Sequence, residues 1–334
     1  MGGDDAPGSI VAGAIQAAEH FSDELQVVLV GDQNAIQMTL PPERATALGI
    51  EVVHTTQTIG MGESAASSFR KKPDSSIAVA IRQVAEGQAH AMVSAGNTGA
   101  VATSSLLGLG RIKAVQRPAI ASVLPTISGR VLLLDVGANA ENKVSHLAQF
   151  ALMGKVYAES VLGISRPRVG LLNIGEESSK GTELMQATHK ALTGLGEELH
   201  FVGNVEGRDV LSGTVDVVVC DGFTGNVLLK FAESVIGVFT GTIRAELPRS
   251  VRYRLGALLM KPVFATLKTK MSYEEVGGAP LLGVNGTVFI AHGSSSPKAI
   301  RNAIRFAATS AREGVVAKIG EELARELRKE EAAG

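Results

Sequence analysis

A chain of 334 residues in which 45% of side chains are apolar has ample material for a buried core, which excludes intrinsic disorder. Its 32 basic and 33 acidic side chains leave a net charge of -1, so no global basic field favours nucleic acid and none is expected as a partner. The lone Cys220 rules out an intramolecular disulfide, and seven scattered histidines without Cys-x-x-Cys or His-x-x-x-His spacing give no ordinary structural zinc site.

Met1-Gly2-Gly3-Asp4-Asp5 is acidic where an export signal is basic, and Ala6 breaks the myristoylation pattern, so a reducing cytoplasm is expected. Apolar runs such as Val131 to Leu134 and Val217 to Cys220 are far shorter than the roughly 18 to 20 residues that span a bilayer, and no integral membrane protein is expected. Strand-like runs follow at Leu25 to Val30, Ile50 to His54, Ala91 to Ser94, Val131 to Asp135, Val169 to Asn173, His200 to Val202 and Val215 to Cys220. They alternate with amphipathic helical stretches at Ser75 to Glu86, Lys143 to Leu162 and Gly181 to Leu192. Such alternation, with continuously apolar strands, predicts an α/β fold with a doubly wound, mostly parallel sheet.

Beyond Asn226 the texture changes. Val227 to Leu247 predicts a helix, and Pro262 splits the basic and apolar stretch Ser250 to Met271 into two shorter ones. Thr287 to His292 predicts another strand, and Pro297 to Glu331 a closing helical region broken at Gly314. The expected organisation is a main α/β domain over 1–226, a helical appendage over 227–276, and a return to the α/β domain over 277–334.

The 38 glycines lie above the usual share of about 7%, and many follow the predicted strands beside small polar residues. The stretches are Ser94 to Gly99, Asp135 to Asn139, Asn173 to Glu177, Gly203 to Asp209 and Asp221 to Asn226. All five are expected along the carboxyl edge of one sheet, where glycine lets the backbone approach an anion and the next helix offers unpaired N–H groups. Taken singly, each also reads as an ordinary tight turn. No stretch fits a Walker loop or a full dinucleotide fingerprint.

In order, these loops, together with Gly277-Gly278-Ala279-Pro280-Leu281-Leu282-Gly283 and Ala291-His292-Gly293, resemble the phosphate acyltransferase (PlsX) family of bacterial phospholipid synthesis. The resemblance implies reversible transfer of a fatty acyl group from acyl carrier protein to inorganic phosphate, giving acyl phosphate for phosphatidic acid synthesis. It also implies a fold similar to the isopropylmalate dehydrogenases and phosphotransacetylases, a homodimer, no cofactor and no metal. In the family a short apolar strand precedes the Met-Gly-Gly-Asp motif, whose methionine is residue 1 here; a start placed too late is the expected reason.

Attack of phosphate on a thioester needs a held phosphate, donors for the tetrahedral oxyanion and a proton for the leaving thiol. The catalytic candidates are His146 as general acid, Lys180 as an ammonium opening the helix after Asn173 to Ser179, and Asn226. The candidates for binding phosphate or the thioester are Gly96, Asn97, Thr98, Gly137, Asn139, Asn173, Gly175, Gly181, Asn204, Asp221, Gly222 and Thr224. Helix capping is the competing role for the Asn and Thr residues, a first-turn surface position for Lys180, and a structural role for His146. Cys220 is expected to be a small buried hydrophobe rather than an acyl carrier.

Between Glu246 and Glu274 there are six basic residues and no acidic one. Arg249, Arg252, Arg254, Leu258, Leu259, Lys261, Phe264 and Lys268 are therefore candidates for contact with acyl carrier protein or an anionic membrane, at about 1 kcal/mol per cation. An amphipathic dimer helix with a solvated basic face is the competing role. The expected setting is cytoplasmic, peripheral to the inner face of the cell membrane, with the downstream glycerol-3-phosphate acyltransferase as a further partner. An acyl-CoA-using phosphotransacetylase-like enzyme and a non-catalytic membrane-bound acyl phosphate carrier are the alternatives.

Overall fold

The computed structural model describes residues 1–271 and 273–333, with the side chains of 65–67, 267–273, 330 and 332–333 outside the description. Ten strands form among the described residues: β1 (Val28–Gly31), β2 (Glu51–His54), β3 (Ala91–Ser94), β4 (Ala119–Pro125), β5 (Arg130–Leu134), β6 (Val169–Leu172), β7 (Phe201–Val205), β8 (Val217–Val219), β9 (Ala279–Leu282) and β10 (Thr287–Ile290). β1 and β2 make a parallel pair of their own; the other eight form one sheet in the order β3-β10-β9-β4-β5-β8-β6-β7.

The central strands are the continuously apolar ones. Val131 to Leu134 and Val217 to Val219 are fully buried. Leu132, Leu134, Val217 and Val219 face Phe150, Met153 and Tyr157 of the helix Val144–Ser160, while Val131, Leu133 and Val218 join Ile81 and Val101 in a second cluster. Both faces of the sheet are covered, as a doubly wound fold requires.

The sheet nevertheless reverses direction in its middle. β10 is parallel to β3, but β9 is antiparallel to β10, β4 to β9 and β5 to β4, whereas β5, β8, β6 and β7 run parallel. The carboxyl ends of β3 and β10 therefore lie at one edge and those of β5, β8, β6 and β7 at the other. This corrects the expectation of five loops along a single edge. Ser94 to Gly99, with Gly96, Asn97 and Thr98, stands at the opposite edge from the other four, a strand length of about 15 Å away. The cause is the insertion of β9 and β4, which makes three antiparallel junctions, the last a hairpin closed by Thr126 N donating to Gly129 O at 3.0 Å.

Helices cover the rest. Predicted helices begin and end close to the observed Ser76–Ala85, Val144–Ser160 and Glu183–Gly194, and the helix expected from Val227 starts earlier, spanning Gly222–Glu246. Val251–Leu259 and Lys261–Met271 follow with Pro262 in the second's first turn, and Gly314, at φ +64°, separates Pro297–Arg312 from Val315–Ala333.

β1 and β3 face each other across a slot of about 650 Å³ lined by Val27 to Val30, Ala89 to Ala95, Ile77, Ile300, Ile304 and Ala307. Met1 packs on Gly31 at the end of β1, and Gly2 on Gly96 just past β3, so the chain enters at the carboxyl ends of both strands. A segment added in extended form before Met1 is expected to run through the slot parallel to both, and to replace a buried α-ammonium, whose pKa burial lowers, with a peptide bond. A version extended by six alternating β-branched residues is expected to melt at least about 2 °C higher in thermal denaturation; an unchanged or lower Tm refutes this use of the slot.

Candidate functional site

β5 carries Asp135 to the edge shared by four of the loops and leaves its side chain fully buried. Its Oδ1 accepts the backbone N–H groups of Ile120 at 3.0 Å, Gly137 at 3.2 Å and Ala138 at 3.0 Å. Its Oδ2 accepts Asn139 N at 2.7 Å and Asn139 Nδ2 at 3.0 Å. Burial pushes this carboxyl above its ordinary pKa, and the bonds from Ala138 and Asn139 pull the other way. All five partners are donors, so the geometry is that of the carboxylate. The N–H groups of Gly137, Ala138 and Asn139, expected to cradle phosphate, are thus turned inward onto an anion of the chain's own. The loop remains at the site, but Gly137 and Asn139 shape it rather than offering backbone donors.

The first turn of Gly222–Glu246 sits on this knot. Gly222 N donates to Asn139 O at 2.9 Å. A Cβ on Gly222 would come within 2.5 Å of Asp135 Oδ2, and one on Gly225 would overlap the Asp135 carbonyl. Asp221 caps the helix, its Oδ1 accepting Thr224 N at 2.8 Å and its Oδ2 the Thr224 hydroxyl at 2.7 Å. Asn226, half-buried, lies beside Gly137. Cys220 is buried, its thiol directed at Asp135 O at 3.4 Å and its pKa raised chiefly by burial, which leaves it little thiolate.

Asn139 Nδ2 also donates to Pro118 O at 2.7 Å, and Asn142 Nδ2 to Asn139 O at 3.2 Å, bringing Arg117 and the start of Val144–Ser160 to the same place. His146 is 8% exposed, and its Nδ1 accepts Lys143 N at 3.2 Å, which fixes the neutral tautomer with the proton on Nε2. Burial, then the charges of Arg117 and Lys143, push its pKa below the ordinary value. At neutral pH His146 is therefore an N–H donor and not a reservoir of imidazolium, which alters the general-acid role expected of it. Arg117 and Lys143 are the residues sequence reasoning missed. The positive end of the 17-residue helix Val144–Ser160 lies with them.

Two strands away, the β6 and β7 loops fold on themselves. Asn173 Nδ2 donates to Lys180 O at 3.1 Å and its Oδ1 accepts Ile174 N at 2.9 Å, with Gly181 packed against it. Asn204 Nδ2 donates to Glu177 O at 2.8 Å, while its buried Oδ1 has no hydrogen-bond partner among the described residues. Gly175 packs on the Lys180 stem. Lys180 does not open the helix, because the helix begins at Glu183 with Thr182 as its cap; its exposed ammonium precedes that positive end by three residues. At the far edge the Asn97 side chain is engaged at both ends, Oδ1 accepting Ala100 N at 2.9 Å and Nδ2 donating to Met61 O at 2.7 Å.

Along Gly222–Glu246, Phe223, Val227, Phe231, Val235 and Phe239 recur every fourth residue and are 50 to 68% exposed. By length and composition residues Gly222–Arg249 are apolar enough to cross a membrane. Past that helix, Leu258 and Leu259 are exposed, Phe264 is half-buried, and Arg252 and Lys261 are exposed. Arg249 pairs with Glu246 at 2.7 Å and Arg254 donates to Pro248 O at 3.0 Å, so these two cations are partly engaged. The Lys268 side chain lies outside the described residues.

Residues 1–318 match the family model described as fatty acid synthesis protein. The chain is 52% identical over 324 residues to the phosphate acyltransferase of Heliobacterium modesticaldum, covering 97% of this chain and 96% of that one. It is 50% identical over 326 residues to that of Desulfitobacterium hafniense, with the same coverage. In fold it is similar to a phosphotransacetylase from Streptococcus pyogenes, with TM-score 0.59, 18% identity and 90% and 91% of the two chains covered. A branched-chain phosphotransacylase from Enterococcus faecalis V583 gives TM-score 0.57 at 16% identity, with 93% and 96% covered.

His146 has a folded pKa below its unfolded value, so its contribution to stability is complete above about pH 6.5 and is lost as pH falls through that value toward the folded one. His146→Gln keeps the bond back to Lys143 N without titrating. Thermal melts of the wild type and His146→Gln are expected to converge in acid and diverge toward neutrality; parallel curves refute the shift. Gly225→Ala is expected to cost 3 kcal/mol or more in denaturant titration, above the roughly 1 to 3 kcal/mol of ordinary overpacking, because the clash is with backbone.

Proposed function

We propose, from the premise that this chain belongs to the fatty acid synthesis protein family, that it takes a fatty acyl group from acyl carrier protein and passes it to inorganic phosphate. The chain is a phosphate acyltransferase, and what remains to assign is donor, site and setting. The observation that carries the site is the seating of the Gly222–Glu246 first turn on Asp135 and Asn139, beside Arg117, Lys143 and His146.

A phosphate dianion suits this place. Two cations and two positive helix ends lie near it, and the internal carboxylate is solvated by its own five donors. In the reaction an oxygen of hydrogen phosphate attacks the thioester carbonyl, forming a C–O bond; the carbonyl π pair moves onto oxygen, and its return breaks the C–S bond and expels the thiolate, which takes the proton that the phosphate gives up. Arg117 and Lys143 hold the phosphate. The Asn226 amide and the His146 Nε2–H steady the oxyanion, as preorganised donors do in acyl transfer. Thr224, fixed by Asp221, borders the same turn. Lys180, Asn173, Asn204, Gly175 and Gly181 shape the neighbouring rim, where the acyl donor approaches beside the exposed Ile174.

The apolar stripe from Phe223 to Phe239 supports pairing with a second copy. Its first turn is pinned to the sheet, and Lys230, Glu233 and Arg244 punctuate it, which speaks against a span through the bilayer. The tip beyond it, with Arg252, Lys261, Leu258 and Leu259 outward, suits reversible contact with an anionic cytoplasmic leaflet or with acyl carrier protein.

Purified protein given acyl-[acyl carrier protein] and labelled phosphate is expected to yield hydroxylamine-sensitive acyl phosphate, faster than with acyl-CoA. No such product, or a preference for acyl-CoA, refutes the donor assignment. Asn226→Ala and Arg117→Ala should each lower turnover by about 10²- to 10³-fold, more than Lys180→Ala does. Vesicle flotation should lose binding to anionic lipid on Arg252→Glu with Lys261→Glu.

A further inference from the structure

We propose that Asp135 is a positioning residue for the phosphate acceptor. Through its two oxygens it sets the spacing between the Gly137–Asn139 turn and the first turn of Gly222–Glu246. The inference rests on the site reading above. Asp135 is buried and touches no surface at which a substrate arrives, so its effect passes through others.

Its two oxygens do different work. Oδ1 collects Ile120, Gly137 and Ala138 and so joins the start of β4 to the turn after β5. Oδ2 collects the Asn139 backbone and amide, and Asn139 in turn accepts Gly222 N and donates to Pro118 O. Every group assigned to phosphate is joined to this pair through two or three contacts. Arg117 adjoins Pro118, Asn226 lies on Gly137, and Lys143 and His146 follow Asn142, which bonds Asn139 O. The same Oδ2 lies 2.5 Å from where a Gly222 Cβ would be, so the helix approaches the carboxylate this closely only because residue 222 is glycine.

Asp135→Asn separates these functions without changing size. An asparagine side chain oriented to keep its oxygen toward Ile120, Gly137 and Ala138 presents an NH₂ group to two donors of Asn139. Donor then faces donor and the turn moves, while the core keeps its volume. A displacement of about 1 Å at a reacting group can cost about 10²-fold in rate.

The test is steady-state kinetics on the full chain with acyl-[acyl carrier protein] and varied inorganic phosphate, alongside thermal melts. Asp135→Asn is expected to raise the KM for phosphate about tenfold and lower kcat/KM for phosphate about 10²-fold, with the KM for the acyl donor within about threefold of wild type. Asn139→Ala, which removes only the side-chain links, should move the phosphate KM the same way by a smaller factor. A folded Asp135→Asn enzyme with wild-type phosphate KM overturns the inference, even where its Tm is lower, because a purely structural role leaves the KM of the folded fraction unchanged. Where Asp135→Asn does not fold, Asn139→Ala decides, and a phosphate KM within twofold of wild type overturns it. A wild-type chain that makes no acyl phosphate instead defeats the functional reading on which the inference stands.

Discussion

A buried carboxylate among inward-pointing amides is the constraint on which the candidate site depends. Backbone N–H groups left unpaired in a buried turn cost as much as lost hydrogen bonds, and an unpaired buried carboxylate costs more. Asp135 and the turn Gly137–Asn139 resolve both demands with each other. A turn of this kind is otherwise a ready anion nest. Filling it internally fixes its shape and, on the proposed reading, leaves an external phosphate to the side chains of Arg117 and Lys143.

Much of the fold was legible in the sequence because its central strands are apolar on both faces. Val131 to Leu134 and Val217 to Val219 read as strands covered on two sides, and the helices Ser76–Ala85 and Glu183–Gly194 carry plain 3.6-residue stripes. β4 and β9 were hidden for a physical reason. Both contain or adjoin proline, which argues against a strand, and β9 sits within a glycine-rich run. Yet these two strands carry the reversal of the sheet, and without them the loop of Asn97 was expected beside loops from which it is a strand length removed.

For the site, residue types were legible and directions were not. Gly222, Thr224, Asn139, Gly137, Asn226 and His146 do gather at one place, because loops on adjacent parallel strands must. Sequence does not say whether a turn's N–H groups face out or in; here a strand-end carboxylate turns them in. Nor does it mark Arg117, which belongs to the approach to β4, or foresee that burial and neighbouring cations would leave His146 uncharged.

The slot between β1 and β3 bears on motion as well as assembly. β1 and β2 belong to no other sheet, so residues 28–54 are held to the body by side-chain packing, chiefly the helix Gly8–His20 lying on Pro297–Arg312 through Gly13 and Ile300, and by the Glu24–Arg312 pair at 3.1 Å. Breathing of this lobe breaks no ladder of the eight-stranded sheet. Its amides are therefore expected to trade their protons with solvent through a local opening, and those of Leu132 to Leu134 only when the whole molecule comes apart.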